Sequence, residues 1–345
     1  MSPRHPLLPS RAALEAAQTT IAKEVTTPQY RWPLLAERTG AEVWVKHENY
    51  TPTGAFKIRG GLFYMARLKQ AEPNVAGVVT ATTGNHGQSI ALAARRFGLR
   101  AVIVVPHGNS PTKNAAMRSF GAELIEHGRD FQDAFGHACG MAEDVRLHLV
   151  PSFHRWLVEG VATYAYEFFR ATPPLDAVYV PIGLGSGICG TIAAREALGL
   201  KTQIIGVVAE GADCYALSFE QKRPVSTNAI HTFAAGLAVR VPNEEALGVM
   251  LSAVARIVRV SDAAMEAAIG HYLIDCHTLA EPAGAAPLAA LLKEREAMKE
   301  KRVGLILSGG NIDPGDLVRA VLACGPSKVS RDPSVHEAIH QHDRS

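Results

Sequence analysis

Ala177-Val178-Tyr179-Val180-Pro181-Ile182-Gly183-Leu184-Gly185-Ser186-Gly187-Ile188-Cys189-Gly190 is the stretch on which the reading of this chain turns. An apolar run of strand length ends in glycines at alternate positions, and a helical pattern begins at once. A strand that is apolar without alternation is covered on both faces, the condition of a parallel sheet with helices on either side. The glycines and the helix start form a backbone cradle for a phosphate, to which the helix dipole adds attraction. Gly185 to Gly190 also fits the GxGxxG pattern of dinucleotide folds, and Glu210 stands about where a ribose ligand would. Its mid-chain position makes that the minority reading.

The same alternation extends in both directions. Strands are expected at 42–47, 77–82, 101–106, 123–127 and 147–150, then at 177–182, 203–210, 256–260 and 302–308. Helical stretches lie between them at 87–97, 112–120, 130–143, 188–198, 261–276 and 285–293. Strands alternating with helices imply right-handed crossovers, parallel pairing and an α/β fold of doubly wound open sheets. Such sheets take ligands at the carboxyl ends of their strands.

Composition excludes several classes. The chain has 345 residues, 47% of them hydrophobic, and a formal net charge of +2. With no dense basic block there is no electrostatic reason to expect nucleic acid or an anionic membrane as partner. No apolar stretch reaches the ~20 residues a spanning helix needs. Arg4, Arg11, Glu15, Lys23 and Glu24 break up the N-terminal region, which does not read as a signal peptide. The five cysteines, at 139, 189, 214, 276 and 324, are scattered and form no CxxC pair. Reduced, mostly buried thiols in a cytoplasmic protein explain them better than disulfides or zinc. The final segment, 326–345, carries His336, His340 and His342 among charges and prolines and reads as a solvated tail or an extra helix.

Two further turns carry chemistry. Thr51-Pro52-Thr53-Gly54-Ala55-Phe56-Lys57-Ile58-Arg59-Gly60 follows the first strand. A lysine between an aromatic residue and glycines, opening an apolar helix, is poorly placed for solvent. Desolvation favours its neutral amine, the form that condenses with an aldehyde. The alternative is a surface lysine that snorkels. Ala81-Thr82-Thr83-Gly84-Asn85-His86-Gly87-Gln88 offers hydroxyls, an amide and free N–H groups at a helix start, which suit a carboxylate. Simple N-capping by Thr83 or Asn85 would explain the same residues.

Taken in order, these segments resemble the fold-type II pyridoxal-phosphate enzymes, the group of threonine dehydratase, serine racemase and tryptophan synthase β. Glu281-Pro282-Ala283-Gly284-Ala285-Ala286 is similar to the EPAGA segment of that family, and Ser308-Gly309-Gly310-Asn311 to its SGGN turn. The resemblance implies two doubly wound open-sheet domains with pyridoxal 5′-phosphate in the cleft between them. A small mobile domain, 60–155, would be inserted into a large one built from 1–59 and 156–325. Lys57 would bind the cofactor covalently and later carry the Cα proton. Phe56 would sit beside the cofactor, Asn85 would hydrogen-bond its 3′-oxygen, and Gly183, Leu184, Gly185, Ser186 and Gly187 would wrap its phosphate. Gly236 would close over the ring, and Ser308 would face the pyridine nitrogen. A hydroxyl there leaves the nitrogen less protonated and favours elimination over long-lived carbanion chemistry. Thr82, Thr83, Gly84 and His86 would hold the substrate carboxylate. A monovalent or divalent cation is implied at Glu210 and Asp213, although an isolated surface Asp213 reads as well. Family likeness alone implies a homodimer.

The departures narrow the reading. Leu184 and Ser186 interrupt what is usually a run of four glycines, and Thr82-Thr83 replaces a serine pair. Racemisation needs an acid/base opposite the lysine; Thr83 keeps the hydroxyl but crowds it. Ala235 stands where an acidic residue is usual, and Val161 in Glu159-Gly160-Val161-Ala162-Thr163 where glutamine is usual. No regulatory module is expected after 325. The expected activity is a dehydratase (ammonia-lyase) acting on L-threonine, L-serine or a relative such as phenylserine or hydroxyaspartate. A β-replacement synthase or a racemase would share nearly all these motifs, and a nucleotide-binding oxidoreductase would lack the cofactor altogether.

Overall fold

The computed structural model describes residues 5–144 and 147–323. Cys324 and the tail at 326–345 lie outside the described residues.

Ten strands are present among them: β1 (Gln29–Arg31), β2 (Glu42–His47), β3 (Gly77–Ala81), β4 (Arg100–Val105), β5 (Glu123–Glu126), β6 (His148–Leu149), β7 (Ala177–Pro181), β8 (Gln203–Ala209), β9 (Arg256–Val260) and β10 (Arg302–Leu307). One sheet runs β1-β2-β10-β7-β8-β9 and the other β5-β4-β3-β6. All pairs are parallel except β1 with β2, where Gln29 faces Lys46. The expected strands are β2 to β10. The exception is β1, whose three residues are too few to show a period. β6 is shorter than expected: after it only the Val150 N–H still donates, to the Val79 carbonyl, and Pro151 beyond has no N–H to offer a ladder.

Both sheets reverse their winding beside the strand that carries a candidate loop. β7, β8 and β9 proceed outward, and β10 returns to the other side of β7; β3, β4 and β5 do the same, with β6 returning beside β3. Ligand crevices form at such reversals. The glycine loop leaves β7, the Ser308 turn leaves β10, and the Thr82 turn leaves β3.

Successive β7 side chains explain the unbroken apolar run. Ala177 and Tyr179 pack into one cluster with the helices Asp262–Cys276 and Pro282–Lys293. Val178 and Val180 point the other way, onto Arg155–Ala171 and Ser186–Ala197. The second sheet is covered likewise: Val102 and Val104 face Ala134 and Ala138, while Ile103 and Val105 face Ala91 and Met117.

The helix Lys57–Ala71 packs against both Asn85–Arg96 of the second layer and Arg155–Ala171 of the first. A buried charge cluster fixes its first turn. Arg59 is fully enclosed and donates through Nε to Glu48 Oε2 (2.8 Å), through Nη1 to Glu167 Oε1 (2.8 Å) and through Nη2 to both carboxylates. Lys46 Nζ, also fully buried, donates to Glu167 Oε2 and to the Thr27 carbonyl, each at 2.8 Å. Two cations thus meet two anions. Burial opposes the charge on Arg59, but Glu48 and Glu167 more than offset it and hold the guanidinium protonated. Removing one member of such a set strands the others without compensation, at a cost of about 3–5 kcal/mol. Arg59→Met is therefore expected to lower stability by about that much, read as a shifted denaturant midpoint, while Gln29→Ala at the rim of the cluster costs under ~1 kcal/mol.

Candidate active site

Lys57 opens its helix directly after Phe56, whose N–H donates to the Ser308 carbonyl at 3.0 Å. The Lys57 Nζ lies 5.0 Å from the centroid of the Phe56 ring. Burial lowers the amine pKa to about 8, and only the carboxyl of Glu281 works the other way. The residue as a whole is part-buried, with its Nζ over the Phe56 ring.

The glycine loop borders the same ring at Gly187. Gly183 must be glycine, because a Cβ there would stand 2.4 Å from the Gly236 carbonyl oxygen. Gly185 has φ +102, and its Cβ would meet Ala246 at 2.7 Å. Leu184 and Ser186, between them, face no such constraint, which is why the loop tolerates them. At Gly187 a Cβ would meet Phe56 and the Tyr164 hydroxyl only at ordinary contact, 3.6 Å. No protein neighbour demands glycine there, and the bare backbone leaves room for a ligand beside Phe56. The helix Ser186–Ala197 begins in this loop, so its first N–H groups lack intrahelical partners and point outward. Tyr164 Oη donates to the Gly187 carbonyl (2.8 Å), and Tyr215 Oη to the Leu184 carbonyl (3.0 Å), fixing the loop from two sides.

The third turn faces the same space. The Thr82 hydroxyl accepts from the Gly84 N–H (3.1 Å) and keeps its own O–H to donate, and Thr83 is exposed. Asn85 starts its helix with its amide held at both ends. Nδ2 donates to Glu281 Oε1 (2.7 Å), and Oδ1 accepts from Asn311 Nδ2 (2.8 Å). One amide N–H remains available. His86 is buried with Nε2 unpartnered; burial, aided by the charge of Lys57, holds its pKa at about 3, so the ring is neutral. Burial raises Glu281 to about pH 7, against the pull of Lys113, Asn85 and Lys57.

Glu210 and Asp213 are both committed elsewhere. Arg259 Nε donates to Asp213 Oδ2 at 2.8 Å, and Lys293 Nζ lies 3.6 Å from Glu210 Oε1. Among the described residues no group of three or more His, Cys, Asp or Glu is placed to hold a metal ion.

Residues 22–309 match the pyridoxal-phosphate dependent enzyme family. The chain belongs to that family. The L-threonine dehydratase biosynthetic IlvA of Pasteurella multocida is 32% identical over 83% of this chain and 56% of its own length. The chain thus spans little more than half of that relative. The L-threo-3-hydroxyaspartate ammonia-lyase of a Pseudomonas species is 34% identical over 83% of this chain and 90% of its own. The solved structure of maize serine racemase superposes with a TM-score of 0.85 at 26% identity, over 97% of this chain and 99% of the other. The fold-type II architecture and the dependence on pyridoxal phosphate follow. No helix among the described residues is long and apolar enough to cross a membrane.

For a pyridoxal-phosphate enzyme the residues present fit the group: an amine whose pKa burial lowers, a helix-start cradle with room beside Phe56, and an oriented amide with one N–H to spare. Glu281 and Asn311, in the EPAGA and SGGN segments, together orient Asn85, a role their local sequence does not signal. Asp313 likewise carries no local signal; its Oδ1 accepts from Ser110 Oγ (2.7 Å) and Thr112 Oγ1 (2.5 Å), tying the β10 turn to the segment after β4. No local pattern marks such long-range pairs.

Two pH effects follow. With a pKa of about 8, Lys57 is neutral in about one molecule in ten at pH 7, against about three in ten thousand for an ordinary lysine. Cofactor uptake by the apoenzyme should rise with a midpoint near pH 8, read from the growth of visible absorbance. Glu281, raised from 4.5 to about 7, keeps a proton in the folded state that the unfolded chain gives up. Its contribution to stability therefore falls as pH rises through that window, and Glu281→Gln should flatten the decline in Tm between those limits.

Proposed function

We propose that this chain is a hydroxy-amino-acid ammonia-lyase that removes water and ammonia from L-threonine, L-serine or a related β-hydroxy amino acid and releases a 2-oxo acid. The observation that carries the reading is the Lys57 amine, its pKa lowered by burial, together with two helix starts, at Ser186 and Asn85, each suited to an anion. The names of the dehydratase and ammonia-lyase relatives agree with it.

In this reading the loop from Gly183 to Gly187 holds the phosphate through backbone N–H groups, and Gly236 packs against that loop. The turn from Thr82 to His86 takes the substrate carboxylate, with the neutral His86 ring adding no competing charge. Asn85, clamped by Glu281 and Asn311, spends its remaining N–H on the cofactor 3′-oxygen, and Ser308 presents a hydroxyl to the ring nitrogen. The cofactor, when bound, supplies the electron sink that makes Cα–H acidic. Lys57 takes that proton, a task suited to an amine whose pKa lies near the working pH. We assign the small mobile unit to 60–155 and the large one to 1–59 and 156–325, with closure keeping water from the reacting carbons. The chain works in the cytoplasm, where its cysteines stay reduced, and Tyr30 and Tyr50, both about half exposed beside His47, mark a face for a homodimer.

Racemisation is the second reading, favoured by the exposed Thr83 hydroxyl in the carboxylate turn. Both are decided by incubating the holoenzyme with L-threonine, L-serine, L-threo-phenylserine and L-threo-3-hydroxyaspartate. The expected result is 2-oxo acid from at least one of them, abolished together with the visible absorbance in Lys57→Ala. D-amino acid without oxo acid would replace this reading with the racemase, and absence of a visible band would remove both.

A further inference from the structure

The family resemblance implies a cation beside Glu210 and Asp213, and the residues here do not fit one. Glu210, Gly211 and Ala212 form a tight turn at the end of β8. The Gly211 carbonyl is taken by the His231 N–H at 2.8 Å, and a Cβ at Gly211 would stand 1.8 Å from the His231 carbonyl oxygen. The Gly211 carbonyl is therefore already engaged, with its backbone packed closely against His231. Asp213 and Glu220 close on one guanidinium: Arg259 Nε donates to Asp213 Oδ2 (2.8 Å), Nη1 to Glu220 Oε1 (2.5 Å) and Nη2 to Glu220 Oε2 (3.0 Å). Lys293 Nζ donates to the Arg259 carbonyl at 2.8 Å and faces Glu210 at 3.6 Å.

We propose that Arg259, with Lys293 behind it, takes the place of the cation, so that this enzyme holds its cofactor loop without an added ion. The connection to the loop is short. Asp213 immediately precedes the helix Cys214–Gln221, and Tyr215 in its first turn donates to the Leu184 carbonyl while accepting the Asn243 N–H (2.9 Å). Arg259 sits on β9 opposite Val208 of β8, so the strand pairing fixes where its side chain begins. A guanidinium meets one carboxylate in a fork and a second through Nε, a directional arrangement that an isotropic ion does not reproduce. An incoming divalent ion would have to displace that fork or stand against its positive charge. The inference rests on the cofactor loop as assigned above; Arg259 and Lys293 act here as positioning residues.

The test uses the holoenzyme. In the wild type, chelator or millimolar Mg2+, Ca2+, Mn2+, Na+ or K+ should move Tm by less than about 1 °C, because no ion binds the folded state preferentially. Arg259→Gln frees Asp213 and Glu220. It should lose cofactor absorbance about tenfold faster on dialysis, and its Tm should rise with added Ca2+. A wild-type Tm that climbs by several degrees with one ion, or falls with chelator, overturns the proposal. So does an Arg259→Gln enzyme that keeps its cofactor as the wild type does. The wild-type measurement decides alone if the variant does not fold. Absence of cofactor absorbance in the wild type would instead strike at the cofactor reading itself.

Discussion

Arg59 lies wholly inside the protein because two carboxylates on different elements meet it there, and the position of Lys57 depends on that meeting. Glu48 comes from the end of β2 and Glu167 from the helix Arg155–Ala171, so one guanidinium ties together three segments distant in sequence. Lys57 stands two residues before Arg59 in the same helical turn. Any drift of that turn would expose a charge in a region without water, and the steepness of that cost makes the placement firm. Such a cluster is not the cheapest way to fill a core. What it adds over apolar packing is direction, since the carboxylates accept from a fixed fork of N–H groups.

From that anchored turn the site is assembled by two sheets, each contributing the end of a strand at which its winding reverses. Neither sheet holds the site alone. The first supplies the glycine loop and the Ser308 turn, the second the Thr82 turn, and the Lys57 helix packs against both layers. Asn85 and Asp313 reach across: the amide of Asn85 is held by Glu281 and Asn311, and Asp313 accepts from Ser110 and Thr112. A cleft whose two walls hydrogen-bond at its rim can exclude water, which lowers the pKa of the Lys57 amine.

The glycine loop after β7 shows how little of a motif is obligatory. Gly183 and Gly185 are required by a neighbouring carbonyl and by a left-handed backbone angle, respectively, while Leu184 and Ser186 meet neither demand. The alternating pattern is thus the part that physical constraint preserves, and Tyr215 and Tyr164 supply the rigidity that extra glycines would not. The same economy holds at the end of β8, where a guanidinium and an ammonium face the carboxylates that the family resemblance associates with an ion.

The sequence by itself determined the strand and helix order, because burial on both faces leaves unbroken apolar runs and helix starts follow them at once. It also brought forward Lys57, Asn85 and the loop from Gly183 to Gly187 as candidates, through the order of the motifs and their resemblance to a family, whereas the local turns alone left a surface lysine and simple N-capping open. Only the tertiary structure decided which charges neutralise one another. Glu48 and Glu167 with Arg59, Glu281 with Asn85, and Asp213 with Arg259 are pairs drawn from separate elements, and nothing in local spacing specifies them. It also decided the ionisation of Lys57, His86 and Glu281, because desolvation depends on what the whole fold lays over a group rather than on the residues beside it in the chain.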